Sequence, residues 1–367
     1  MSISRNTLHL LLAALVLPAP AVAQHIISPH ASYVDVAARQ ATLRSITDPL
    51  LQRAVHGLRS CVGMPLVPAP AAPVEIPHHY LSGSSGPTNP AEKAATEVYS
   101  DFEQRITAGM NQYVAKGDHA ESACALAQLD AWAQGHALLD YDPKDSSQAW
   151  YQVEWTLSAA GTTESVIMND TALDASQQKR VTDWLDTAAR KLISFEKPGK
   201  EGNNHHYWRA LAATSKGVIA SDKMLFDFGI DTCKEAIGQI DTNGAFPLEM
   251  ARHENASHYQ GFALQPLIVI AEFAERQGVD LYAYKAHGQA LRDAIVFYGR
   301  IMADPSIVKQ YTSDEQRGNF GGSDFAPFAF YVARFGEGGV PPSILDGLKQ
   351  PTTSTRIGGS TTILAGK

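Results

Sequence analysis

From residue 90 to residue 302 the apolar positions recur three and four apart, with polar residues between them. That is the period of α-helices that each bury one face. The pattern predicts helices over residues 90–117, 121–139, 146–161, 174–196, 203–221, 223–240, 259–278 and 283–302. Pro90 opens the first and Lys116-Gly117 closes it, as helix boundaries should. Short turns bearing Gly, Asp or Pro separate the rest. No strand-helix alternation is visible, which argues against a parallel sheet. No repeat of fixed period is visible either, which weakens a solenoid. Long helices joined by short turns pair antiparallel, and many such hairpins can close into a ring. The expected class is therefore all-α, with an α/α toroid as its natural architecture.

Other segments break the pattern. Residues 64–90, "MPLVPAPAAPVEIPHHYLSGSSGPTNP", are rich in proline with a Gly/Ser tip. They read as a surface linker, but a loop carrying His78, His79 and Tyr80 also suits a lid over a cleft. The chain from Asp314 onward is rich in Gly, Pro and Thr and reads as irregular structure draped over the helices. At the start, "MSISRNTLHLLLAALVLPAPAVAQ" has a basic residue, a short apolar run and an Ala21-Val22-Ala23 ending. That is the form of a secretory signal cleaved after Ala23. The apolar run is shorter than the roughly 20 residues a bilayer span requires. Residues 24–367 are then expected to be one exported, periplasmic domain with no membrane anchor.

The net charge of −8 argues against nucleic acid as a partner, although it leaves room for a local basic groove. Cys61, Cys124 and Cys233 allow one disulfide and one leftover thiol in an oxidising compartment, with three pairings open. None of them sits at CxxC spacing, so no cysteine metal site is expected.

The densest polar chemistry is "NNHHYW" at 203–208. On a helix, Asn204, His205 and Trp208 fall on one face. A core with satisfied polar groups would explain them, and so would a surface that grips a ligand. A second cluster is "ARHENASHYQGF" at 251–262. Its His253 and His258 lie five apart, about 140° round a helix, which is poor geometry for one ion. No metal and no other cofactor is expected. Arg252 and Tyr259 lie seven apart, so two helical turns bring them to the same side. An arginine there favours the phenolate of the tyrosine. Together Asn204, His205, Arg252 and Tyr259 suit proton abstraction from carbon beside a carboxylate. That reaction needs the carboxylate neutralised and a tuned base close by.

These residues resemble a known family. "NNHHYW" is similar to the Asn-Asn-His-x-Tyr-Trp segment of the periplasmic alginate lyases, polysaccharide lyase family five. The spacing of Arg252 and Tyr259 resembles that family's second active-site segment. "SACALAQLDAWA" (122–133), "ALQPLIVIAEFAERQGVDL" (263–281) and "RIGG" (356–359) follow in the family's order. The likeness runs from about Cys61 to Gly359, and residues 32–56 look like an addition. The resemblance implies an α/α toroid with a deep groove and a lid loop, and endolytic β-elimination of a uronate polymer without a metal. It implies that Asn204 and Arg252 neutralise the carboxylate, with His205 joining them or serving as base. Tyr259 would act as base and then as acid toward the leaving oxygen. Tyr80 would sit on the lid, Trp208 would pack beside the sugar, and His258 and Arg356 would also meet substrate. The family also implies a Cys61–Cys124 disulfide with Cys233 free.

One departure bears on specificity. His79 stands just before Tyr80, where the family carries a lysine. A fixed cation becomes a group that titrates near neutrality, and His206 and His258 add more. Substrate choice is therefore expected to vary with pH. β-D-Mannuronate and β-D-glucuronate share configuration at C4 and C5, so polyglucuronate or hyaluronate could join polymannuronate as substrates. Guluronate is inverted at C5 and is expected to be poor. Two rivals stand beside the lyase: a toroid glycoside hydrolase, which needs two carboxylates across the groove, and a non-catalytic glycan-binding protein. Nothing demands a protein partner, so a monomer is expected.

Overall fold

A polar residue that can accept a hydrogen bond sits just before most of the helices. Asp35, Asp48, Asn89, Asp118, Ser146, Asp174, Asn203 and Asp222 each turn a side-chain oxygen onto an early backbone N–H. Such caps satisfy donors that the helix itself cannot, and so set where each helix starts. The computed structural model describes residues 26–71, 73–83, 86–195 and 202–366. The signal-sequence reading of residues 1–23 falls outside them.

Two short helices come first, α1 (Val36–Arg44) and α2 (Pro49–His56). The long elements follow: α3 (Pro90–Lys116), α4 (His119–Gln134), α5 (Ser147–Ile167), α6 (Ala175–Ser194), α7 (Asn204–Ile219) and α8 (Lys223–Gln239). After the single turn α9 (Pro247–Met250) come α10 (Ala256–Arg276), α11 (Leu291–Ala303) and α12 (Ala326–Phe335). The one-turn helices α13 (Pro342–Gly347) and α14 (Thr361–Leu364) end the chain. No strand is present among the described residues, where only isolated bridges occur.

The long helices form two layers. In the inner layer α3 packs on α5, α5 on α7, and α7 on α10. In the outer layer α4, α6, α8 and α11 lie against these and carry the chain back. Each return lets the next inner helix start at the same end, so the inner helices run parallel. This is the α/α toroid. The buried apolar side chains of both layers form one continuous cluster. A turn at Thr355–Ile357 touches α3, α5 and α10, and so fills the gap in the ring.

Two expectations are corrected. Residues 283–290 form a turn rather than helix, with His287 and Gly288 at positive φ, and α11 begins only at Leu291. The chain beyond Asp314 is not all irregular, because α12 packs on α10 and α11. Its apolar run was hidden by the glycines and threonines around it. The Cys61–Cys124 disulfide is present and ties the start of the proline-rich segment to α4, while Cys233 is free and buried. Among the described residues no helix is long and apolar enough to cross a membrane.

Candidate active site

At the N-terminal end of the inner helices lies a cavity of about 510 Å³. Each inner helix contributes its first turns. Glu92 comes from α3, Ser147, Gln148, Tyr151 and Trp155 from α5, and His205 from α7 with its cap Asn203. His258, Tyr259 and Phe262 come from α10, Arg252 from the turn before it, and Arg356 from the gap-filling turn. His78, His79 and Tyr80 close the cavity from the proline-rich segment.

The "NNHHYW" run divides its labour. Asn203 caps α7, its side chain accepting from the backbone N–H of His205 at 3.2 Å. His205 turns to the cavity and stacks on Tyr151, ring centroids 3.4 Å apart and planes 16° from parallel. Its Nδ1 lies 2.6 Å from a carboxylate oxygen of Glu154, a side chain with no exposed surface. Arg209 reaches the other Glu154 oxygen at 3.4 Å. Asn204 lies behind the wall. Its backbone N–H donates to Glu249 at 2.6 Å, and its side-chain nitrogen donates to both Glu249 oxygens at 3.1 and 3.0 Å. Burial lifts Glu249 from 4.5 to about 7, although the Asn204 bonds and the charge of Arg252 oppose that rise.

The second cluster meets the first across the cavity. Arg252 lies in a turn rather than a helix, yet its guanidinium sits 3.8 Å from the Tyr259 ring centroid. The Tyr259 hydroxyl lies 3.2 Å from that of Tyr80, which also accepts from the Asn255 amide at 3.3 Å. Arg356 lies over the Trp155 ring at 4.0 Å. His258 Nδ1 is 3.3 Å from Asp324. His79 Nδ1 is 3.4 Å from Glu92, and its ring stands edge-on to Tyr80. The loop tip is latched, with Glu254 accepting from the backbone N–H of Gly86 at 3.0 Å and Arg317 donating to the carbonyl of Gly86 at 2.9 Å.

This geometry suits an anion despite the overall charge of −8. Two arginines line the cavity, and among its described lining residues Glu92 is the only carboxylate. The parallel inner helices also aim their positive ends at it, each worth up to about half a charge. Among the described residues no three of His, Cys, Asp and Glu gather as a metal site would require.

Several expectations change. Trp208 does not stand beside the cavity: it has no exposed surface and packs against Phe262 at 5.1 Å. The face argument treated His205 and Trp208 as neighbours, but α7 is wedged between α5 and α10. Residue 205 leans toward α5, while Asn204 and Trp208 lean into the α10 side. Asn204, for the same reason, is not on the wall. The aromatic lining comes from Tyr151, Trp155 and Phe262 instead. Gln148, Tyr151 and Trp155 follow a three-then-four spacing that could have disclosed that stripe from sequence. Arg252 does favour the Tyr259 phenolate, but burial outweighs it, and Tyr80 and Glu249 push the same way as burial. The net effect is to hold the Tyr259 hydroxyl well above its ordinary value.

The comparisons with known proteins agree with this architecture. The family model "Alginate lyase" matches residues 36–308, so the match reaches into the two short helices that looked like an addition. A polysaccharide lyase of Stenotrophomonas maltophilia (strain K279a) is 29% identical over 306 residues, covering 81% of this chain and 89% of that one. An alginate lyase of Azotobacter vinelandii is 32% identical over 200 residues, about half of each protein. Among solved structures, alginate lyase A1-III complexed with tetrasaccharide superposes with a TM-score of 0.87 at 39% identity, covering 94% of this chain and 97% of that one. An alginate lyase from Bacteroides ovatus, 14% identical with a TM-score of 0.61, shares the fold alone. The chain belongs to the alginate lyase family, and it is a polysaccharide lyase.

Proposed function

We propose that this protein cleaves polymannuronate, the substrate type of alginate lyases, by endolytic β-elimination between C4 and C5. Arg252, with His205 and Arg356 beside it, draws charge from the uronate carboxylate, which acidifies the proton on C5. Tyr259 takes that proton and returns one to O4 of the leaving sugar, leaving a 4,5-double bond. Its hydroxyl must first be ionised, and Arg252 over the ring is the group that favours this. Tyr80, in hydroxyl contact with Tyr259, orients it. Asn204 acts from behind, anchoring the first turn of α7 to Glu249. Tyr151, Trp155 and Phe262 supply flat apolar surface for sugar rings. The side chains present cover every role, so no metal or other cofactor is invoked.

The observation that carries this reading is the pairing of Tyr259 with Arg252, beside a second arginine, Arg356, in a cavity that contains a single described carboxylate. A hydrolase needs two carboxylates facing the bond. Glu154 and Glu249 are both behind the wall, committed to His205 and Asn204. Support for a multi-sugar groove comes from the tetrasaccharide bound by the similar A1-III enzyme. Polyglucuronate and hyaluronate are secondary substrates, because they match mannuronate at C4 and C5. Residues 24–367 act as one monomeric domain in the periplasm, which N-terminal sequencing of the exported protein and its solution mass would check.

The test is the ultraviolet absorbance of the unsaturated product. Wild type and Tyr259→Phe are compared on polymannuronate, polyguluronate, polyglucuronate and hyaluronate. A rise on polymannuronate that the variant abolishes is expected. Reducing ends appearing without new absorbance would mean hydrolysis. Binding with neither signal would mean a glycan-binding protein.

A further inference from the structure

Glu103, in the middle of α3, is a buried carboxylate that the reaction as written does not use. Such a group is costly unless its oxygens are bonded and its charge is offset. Its Oε1 accepts the Thr156 hydroxyl at 2.8 Å, and its Oε2 accepts the Thr355 hydroxyl at 3.4 Å. Thr156 in turn accepts from the Gln152 amide at 3.0 Å, so its own proton is committed to Glu103. The two threonines adjoin two residues of the cavity wall. Thr156 follows Trp155 on α5, and Thr355 precedes Arg356 on the gap-filling turn. One carboxylate therefore joins the segments that set the Arg356 guanidinium 4.0 Å from the Trp155 ring centroid and 5.5 Å from that of Phe262.

Arg356 makes no hydrogen bond and no ion pair among the described residues, so its donors are not spent on the protein. An aromatic face attracts a cation but sets no hydrogen-bond direction, so another group must fix where the guanidinium lies. Glu103 also forms no ion pair among the described residues, yet the charges of the two residues support each other. Burial disfavours the charge on Arg356, and Glu103 leads the carboxylates that oppose this, ahead of Glu154 and Glu92. Burial disfavours the charge on Glu103 as well, and Arg356 leads the groups that oppose that.

We propose that Glu103 is a positioning residue for Arg356, holding its guanidinium over the Trp155 ring with its donors free for a uronate carboxylate. This deepens the lyase reading above and rests on it. A direct ion pair would spend the charge of Arg356 inside the protein, whereas a tether through Thr355 leaves it for the substrate. Asn111 and Gln265 pin the same turn at Gly358 and Ser354, so the turn should stay folded when Glu103 is altered.

The experiment is a double-mutant cycle on polymannuronate, with KM and kcat read from the unsaturated product and each fold checked by urea unfolding. Glu103→Gln keeps the size of the side chain and an acceptor for Thr156 but removes the charge. It should raise KM about tenfold, the worth of one charge-assisted contact, with kcat changed less. Thr355→Val removes the tether and leaves the charge. It should raise KM by a smaller factor, and it serves where Glu103→Gln does not fold. Glu103→Asp should recover part of the loss. In Arg356→Ala protein neither Glu103→Gln nor Thr355→Val should raise KM further, because residues that act as a unit do not add. An unchanged KM in the folded variants, or an equal rise with and without Arg356, would overturn the proposal and leave Glu103 a packing residue. A wild type that yields no unsaturated product from polymannuronate would defeat the lyase reading itself, and the proposal with it.

Discussion

The hydroxyl of Tyr80 lies 3.2 Å from the hydroxyl of Tyr259, which joins the proline-rich loop to the wall where Arg252 covers the Tyr259 ring. In the proposed reaction the loop therefore helps form the proton-transfer group as well as covering it. Tyr259→Phe is expected to lower kcat by about 10²–10⁴, the usual worth of a general acid–base residue. Oligomannuronate affinity should stay near wild type. Tyr80→Phe should lose less, because it removes only the orienting contact. Stopped-time product assays with binding by calorimetry check both.

The pH dependence follows from the direction in which Tyr259 is displaced. Its hydroxyl is held above its ordinary value by burial, so the ionised form is scarce at neutrality and grows with pH. The rate should climb through about pH 6 to 9 without a plateau near neutrality, where a histidine base would saturate. Arg252→Ala removes the charge that favours the phenolate, so it should lower the rate throughout this range. A profile of kcat against pH decides.

His79 and Glu92 sit 3.4 Å apart at the cavity edge. The Glu92 carboxylate repels a polyanion, and the imidazole of His79 stands between them at the cavity edge. Glu92→Gln should lower KM. His79→Ala should make the ratio of activities on polymannuronate and polyglucuronate independent of pH. If that ratio kept its wild-type variation with pH, His79 would have no part in substrate choice.

Glu249 carries a stability consequence. Its value is raised by burial from 4.5 to about 7, so the folded state binds its proton more tightly than the unfolded chain does. Stability should then fall as pH rises from about 4.5 to about 7 and level off above, by about 3 kcal/mol from this residue. Glu249→Gln should flatten that part of the curve, as measured by urea unfolding at several pH values.

The Cys61–Cys124 bridge closes a segment with a sequence separation of 63. On the chain-entropy estimate a loop of that size contributes about 4 kcal/mol. Cys61→Ser with Cys124→Ser should lower Tm by several degrees and loosen the base of the proline-rich segment. Cys233 should react with thiol reagents only on unfolding, since burial raises its thiol to about 12. Calorimetry and thiol titration report each.

Helices and their starts were legible because they depend on local chemistry. The three- and four-residue period, and acceptors such as Asn89, Asp174 and Asn203, act within one turn. The short turns implied antiparallel pairs that could close into a ring. The pairing of Arg252 with Tyr259 was also visible, although a turn rather than two helical repeats brings them together. What escaped was everything set by one helix pressing on another. Glu154 meets His205 across 51 residues, and Glu249 meets Asn204 across 45. Neither spacing carries a signal. The resemblance put Trp208 beside the sugar, and helical periodicity put it on a face with His205 but does not say what that face meets. Only packing between α5 and α10 buried it. The displacement of Tyr259 was misjudged for a related reason: a neighbouring charge can be inferred from spacing, whereas desolvation depends on every chain that closes over the hydroxyl. Sequence by itself therefore determined most of the long helices, their order and the chemical types at the site, since those are short-range properties of the chain. The tertiary structure alone decided which groups face the cavity, which stand behind it and how each titrates, because burial and long-range contact exist only once the ring has closed.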